Sequence, residues 1–138
     1  MAGYSATPLA KKLGIKDNFK IAIVGAPENF HQVLGPLADG AVVVPRTHKP
    51  LELILLFVKT EAELKKQFAV LAKRLTPAGM LWVAWPKKAS GVTTDLNFDV
   101  VQKHGLAEGL VDTKICAIDE MWSGLKFVTR LKDRPRNK

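Results

Sequence analysis

Apolar positions along the chain fall into short runs separated by turn residues, and the runs alternate between two periods. Phe19-Lys20-Ile21-Ala22-Ile23-Val24-Gly25 is β-branched and almost continuously apolar, as expected of a strand covered on both faces. Leu51–Val58 is a stronger run of the same kind, and Met80–Trp85 is a third. Between these two the period changes. Thr60 and Glu63 match a capping box, and Leu64, Phe68, Leu71 and Leu75 then recur at spacings of four, three and four. That stripe predicts an amphipathic helix, closed by Thr76-Pro77-Ala78-Gly79. A strand–helix–strand succession joins parallel strands, because only a long crossover can return the chain in the same direction.

The weaker signals fill the rest of the chain. Thr7 as N-cap, Pro8 at the first helical position and Gly14 beyond the end predict a short helix. Pro27 opens another, with Phe30, Val33 and Leu34 directed inward, before Gly35-Pro36 stops it. Ala41–Val44 reads as a short strand. Thr93 or Thr94 caps a helix that runs through His104 and is closed by Gly105. Val111–Ile118 and Leu125–Leu131 read as strands joined by Asp119–Gly124, a connection short enough to make them antiparallel neighbours. The expected architecture is a three-layer α/β sandwich: a mainly parallel sheet, helices on both faces and a C-terminal antiparallel hairpin. Residues 1–131 form one domain, and 132–138 are read as a basic, disordered tail.

Composition adds limits. With 138 residues, 47% hydrophobic and 25% charged, the chain can bury a core without disulfides or metals. Its longest apolar run, Leu51–Val58, is too short to cross a bilayer. No secretory apolar core follows Met1, and the single Cys116 has no partner within the chain, so a cytoplasmic location is expected. The net charge of +8 is uneven: residues 126–138 hold six basic side chains and one acidic, whereas the other 125 residues carry a surplus of only three. A basic tail can contact phosphates, which makes a weak case for nucleic acid. No stacking or base-reading signature accompanies it.

The densest chemistry lies in residues 82–96, where an apolar strand runs into Trp85-Pro86-Lys87-Lys88-Ala89-Ser90-Gly91-Val92-Thr93. A cationic, donor-rich loop after a parallel strand is placed where open α/β sheets hold ligands. Lys87 and Lys88 supply positive charge, Ser90, Thr93 and the backbone from Gly91 supply donors, Trp85 and Trp122 form an aromatic wall, and Ser123 completes the set. These eight residues are the candidate site for a phosphate- or carboxylate-bearing small molecule. In the competing reading the lysines are solvated or pair with Asp119 and Glu120, worth only ~0–1 kcal/mol when exposed. No catalytic residue is assigned. Ser90 lacks a nucleophile-elbow context, Cys116 reads as a buried, inert thiol, and adjacent carboxylates Asp119 and Glu120 point apart. His31, His48 and His104 have no ligand spacing, so no metal is expected, and no cofactor.

The element order resembles a shortened class I methyltransferase-like Rossmann sheet, including the closing hairpin. That resemblance implies a glycine-rich turn after the first strand and an acidic residue ending the second. This chain instead has Gly25-Ala26-Pro27-Glu28-Asn29, with one glycine and a proline lacking N–H, and Pro45-Arg46 after Ala41–Val44. Both departures point away from adenosylmethionine in the usual pose. Ala2–Ser5, Leu9–Lys16, Trp85–Leu96 and Trp122–Val128 resemble, in order, the bacterial family called domain of unknown function 3052, which implies no reaction. The leading expectation is a binding protein rather than a stand-alone enzyme. The alternatives are a protein-interaction or homodimerisation module using Met121, Trp122 and the segment around Tyr4, a nucleic-acid accessory, and a degenerate methyltransferase-like enzyme.

Overall fold

The apolar runs lie side by side. The computed structural model describes residues 8–134, and within them β1 (Lys20–Val24), β3 (Leu51–Phe57) and β4 (Leu75–Pro86) form the centre of a six-stranded sheet. The order is β2-β1-β3-β4-β6-β5, with β2 (Val42–Val43) on one edge and β5 (Leu110–Ala117) on the other. Strands β2, β1, β3 and β4 are mutually parallel; β6 (Trp122–Thr129) runs antiparallel between β4 and β5. The strand composition dictates this burial: every residue of β3 except Glu52 is buried, as a central strand under helices on both faces requires.

Each face carries two helices. Helices α1 (Leu9–Leu13) and α2 (Phe30–Leu34) cover one side, bringing Leu9, Ala10, Leu13, Phe30 and Leu34 against Ile21, Leu53, Leu55, Phe57 and Trp82. On the other side lie α3 (Glu61–Ala72) and α4 (Phe98–Ala107), packing Leu64, Phe68, Leu71 and Val101 against Ile54, Leu56, Leu81, Val83 and Phe127. The chain thus has the expected mixed α/β, Rossmann-like three-layer arrangement. The buried indole of Trp82 is satisfied within this layer: Nε1–H donates to the Leu13 carbonyl at 2.9 Å, tying α1 to β4.

Several local expectations are corrected. Leu75, expected as the last residue of the α3 stripe, instead opens β4, because Arg74 O accepts from Leu51 N and captures the chain for the sheet. Thr76–Gly79 lies inside β4 as an irregularity in its register with β3 rather than as a terminating turn. Val33 is exposed, since a five-residue helix turns only Phe30 and Leu34 inward. Helix α4 is capped by Asn97, whose Oδ1 accepts from Val100 N at 2.9 Å, not by Thr93 or Thr94. It also runs past Gly105, which is a packing residue: a β-carbon there would overlap the Phe127 ring. Thr7, expected as a cap of α1, lies outside the described residues; Gly14 ends that helix in the left-handed region as anticipated. Beyond β6, a 3₁₀ turn at Leu131–Asp133 is held by Arg134 Nε donating to Thr129 O. Among the described residues no helix is long and apolar enough to cross a membrane.

Candidate functional site

Strand register sets what meets at the carboxyl edge of the sheet. Val24 is beside Leu56, Phe57 beside Ala84, and Pro86 beside Trp122. The turns after β1, β3 and β4 and the turn entering β6 therefore share one rim. Gly25 is needed there: its φ is +74°, and a β-carbon would come within 2.8 Å of Phe57 O, so only glycine lets these strand ends approach.

The lysine loop is fixed at both ends. At its start, Lys87 N–H donates to Met121 O at 2.8 Å, tying it to the β5–β6 turn. A 3₁₀ turn, Lys88–Ser90, follows, and Ser90 Oγ–H donates to Lys87 O at 2.6 Å while accepting from Val92 N. At its far end the loop is sewn to the start of α3: Thr94 Oγ1–H donates to Lys59 O at 2.6 Å, and Asp95 Oδ1 accepts from Glu61 N at 2.8 Å. Glu63 N donates to Thr60 Oγ1, and Lys59 N donates to Glu63 Oε1. The amino end of α3 is thus served by the protein's own oxygens. Asp95, one residue beyond Thr94, thus reaches across to α3 rather than serving its own helix.

Of the eight candidate residues, the structure groups Lys87, Lys88, Ser90, Gly91 and Thr93 on one loop. Lys87 is half-buried; Lys88, Gly91 and Thr93 are exposed. Lys87 and Lys88 make no ion pair among the described residues, and Asp119 is occupied by its own turn, accepting from Met121 N and Trp122 N. The aromatic wall is not formed. Trp85 is paired in register with Ser123, and Trp122 with Pro86, so the two rings fall on opposite faces of the sheet. Trp85 packs in the α3–α4 layer, with Ser123 on that face, whereas Trp122 packs in the α1–α2 layer. There Phe30, Phe57 and Trp122 form an edge-to-face row, with ring centroids 5.0 and 4.9 Å apart. All three are buried, so the hairpin offers Met121, not Trp122, to solvent. Tyr4 lies outside the described residues.

A second cationic group escaped sequence reasoning because its members are far apart in the chain. Lys114 and Lys126 are directly opposite on β5 and β6, and Lys114 Nζ donates to Lys12 O at 3.3 Å. Cys116 lies among them. Burial pushes its thiol pKa up, against the opposing pull of Lys12, Lys114 and Lys126. At the opposite, amino edge of the sheet, an open groove of about 650 Å³ runs between α1 and residues 36–38. No group of three or more His, Cys, Asp or Glu side chains is gathered to hold a metal among the described residues.

No family model matches the chain, and no curated protein does. Solved structures do. Over 92% of this chain and 70% of the other, it superposes on the fibrillarin pre-rRNA processing protein of Methanococcus jannaschii with a TM-score of 0.60 at 15% identity. With precorrin-6y C5,15-methyltransferase of Geobacter metallireducens GS-15 the TM-score is 0.60 at 8% identity, covering 88% and 85%. A SAM-dependent methyltransferase of Aquifex aeolicus gives 0.52 at 16% identity, covering 85% of both chains. The likeness is one of fold. The chain has the methyltransferase-like Rossmann architecture, and its chemistry has to be argued from its own residues.

Proposed function

We propose that this domain uses a methyltransferase-like scaffold for binding rather than methyl transfer, and that it holds a phosphate- or carboxylate-bearing small molecule at the carboxyl edge, under Lys87 and Lys88. The observation that carries the reading is a pair of ammonium groups without a carboxylate partner among the described residues, on a loop fixed by hydrogen bonds at both ends. A loop already ordered loses little further entropy on binding, which favours affinity. The hydroxyls of Ser90 and Thr94 shape the loop and leave the lysines and Thr93 to meet the ligand. The resemblance to the domain of unknown function 3052 family bears on the same place, because Trp85–Leu96 and Trp122–Val128 adjoin where Pro86 pairs with Trp122. The unpaired Cys116 fits a reducing, cytoplasmic setting.

The likeness to SAM-dependent methyltransferases favours a second reading, a divergent methyltransferase. Pro27 at the first turn, Arg46 after β2 and the buried Phe30–Phe57–Trp122 row weigh against it. Isothermal titration of nucleotides, sugar phosphates, dicarboxylates and S-adenosylmethionine separates the two. The expected result is a phosphate or carboxylate ligand whose affinity falls about tenfold in Lys87→Ala/Lys88→Ala, the loss of about one charge-assisted contact. Binding unaffected by that double substitution, or confined to S-adenosylmethionine, defeats the first reading.

A further inference from the structure

Side chains on paired strands share a face when they are opposite in register, so Trp82 on β4, Lys126 on β6 and Lys114 on β5 form one row across the sheet. Trp82 marks the face: its indole bonds to Leu13 O, beneath α1. Lys126 and Lys114 therefore project toward the last turn of α1. There Lys114 Nζ donates to Lys12 O at 3.3 Å, and Lys12 Nζ reaches Ala117 O at 3.5 Å. Lys16, just beyond α1, lies close enough to add to the repulsion at Lys126. Lys12, Lys114 and Lys126 surround the half-buried Cys116, Lys16 neighbours Lys126, and none of the four is in an ion pair among the described residues.

Directly opposed like charges destabilise a strand pair. Two ordinary explanations cover part of the arrangement. A lysine on an edge strand discourages pairing with another chain, which accounts for Lys114 on β5. The carbonyls ending α1 attract cations, which accounts for Lys114 and Lys12. Neither explains Lys126, which sits on an inner strand, is partly withdrawn from water and has no hydrogen-bond partner for its ammonium among the described residues; nor do they explain Lys16. A cation in such surroundings is costly unless a counter-charge is supplied.

We propose that Lys12, Lys16, Lys114 and Lys126 form an oxyanion site on the α1-covered face of the hairpin, for a compact, multiply charged phosphate such as a polyphosphate or the polyphosphate group of a nucleotide. Four neighbouring cations match several charges on a small ligand better than a single carboxylate. A nucleic-acid strand fits the surface less well, since no tryptophan or phenylalanine is exposed among the described residues for bases to stack on. The site is separate from the Lys87–Lys88 loop, and it stands or falls independently of the reading given for that loop.

Sodium tripolyphosphate is the probe. At low ionic strength it raises the unfolding temperature by several degrees through preferential binding to the native state. It also slows alkylation of Cys116 by neutral iodoacetamide about threefold by covering the thiol. Lys114→Gln/Lys126→Gln loses both effects, Lys16→Gln weakens them, and Lys87→Ala/Lys88→Ala retains them. The proposal is overturned if tripolyphosphate changes neither quantity, or if both effects persist in Lys114→Gln/Lys126→Gln. It is also overturned if a short single-stranded RNA binds through these lysines where tripolyphosphate does not. Lys16 is exposed on a loop, so its variant keeps the test open should the double substitution unfold.

Discussion

Lys126 is the residue whose environment conflicts most with its charge. Burial lowers its pKa from the ordinary 10.5, and repulsion from Lys114 and Lys16 adds to this. A base with a depressed native pKa loses its proton more readily when folded, so between the two values the unfolded chain holds more protons. Its contribution to stability is complete above 10.5 and is lost as pH falls through the lowered native value. Cys116 has the opposite sign: burial raises its pKa above the ordinary 9.0, so its contribution is complete below 9.0 and is lost as pH rises through the native value. The two slopes oppose each other in alkali. Lys126→Met should therefore stabilise the protein at pH 7 and low salt by ~0.2–1 kcal/mol, the size of an opposed like-charge pair. Urea unfolding across pH 7 to 11 checks this. The variant should lose stability more steeply in alkali than the wild type, and adding Cys116→Ala should flatten that fall. A Lys126→Met protein weaker at pH 7 would mean that packing of the lysine stem outweighs the repulsion.

At the scale of elements, the junction between the lysine loop and α3 shows which structure a sequence discloses. The capping box at Thr60 and Glu63 was legible because its partners are three residues apart, within one turn of helix. The contact from Asp95 to Glu61 N spans 34 residues, and no local pattern announces it. Thr93 and Thr94 looked like caps of α4 for the same reason: a hydroxyl before an apolar stripe satisfies the local rule, yet Thr94 is drawn away to Lys59 O and Asn97 takes the cap. Asp95 thus holds the loop to α3 by a single carboxylate on a helix amino end. Asp95→Ala should cost about 0.5–2 kcal/mol, as for other lost caps, while Asp95→Asn should keep most of that stability because its carbonyl can still accept. Thermal unfolding gives the stability, and amide exchange at Glu61 gives the locality. An Asp95→Ala protein with unchanged Glu61 exchange would rule the contact out as a fastener.

For the whole molecule, three apolar runs and one crossover helix were enough to read a mainly parallel sheet, because central strands cannot afford polar faces. The placing of the lysine loop at the ligand-bearing edge followed from the same logic. What fills the crevice was not legible, since Phe30, Phe57 and Trp122 come from three separate elements and only the fold brings them edge to face. Strand order reverses between β1 and β3, the place where open α/β sheets receive ligands, and this aromatic row lies along the strand ends there. If the row is core, Phe30→Ala should cost about 3–5 kcal/mol, the range for truncating a buried aromatic. If it is the closed form of a pocket, the ring should be displaceable, its truncation should cost far less, and a nucleoside such as S-adenosylmethionine should bind more tightly once it is removed. Equilibrium unfolding of Phe30→Ala, with S-adenosylmethionine titrated into variant and wild type, decides between them. The burial of all three rings and the close approach of Gly25 to Phe57 O argue for the first outcome, because neither strand end has room to yield. A large loss of stability with no nucleoside binding in either protein is the result this packing requires, and it would leave the lysine-bearing surfaces as the places to seek the ligand.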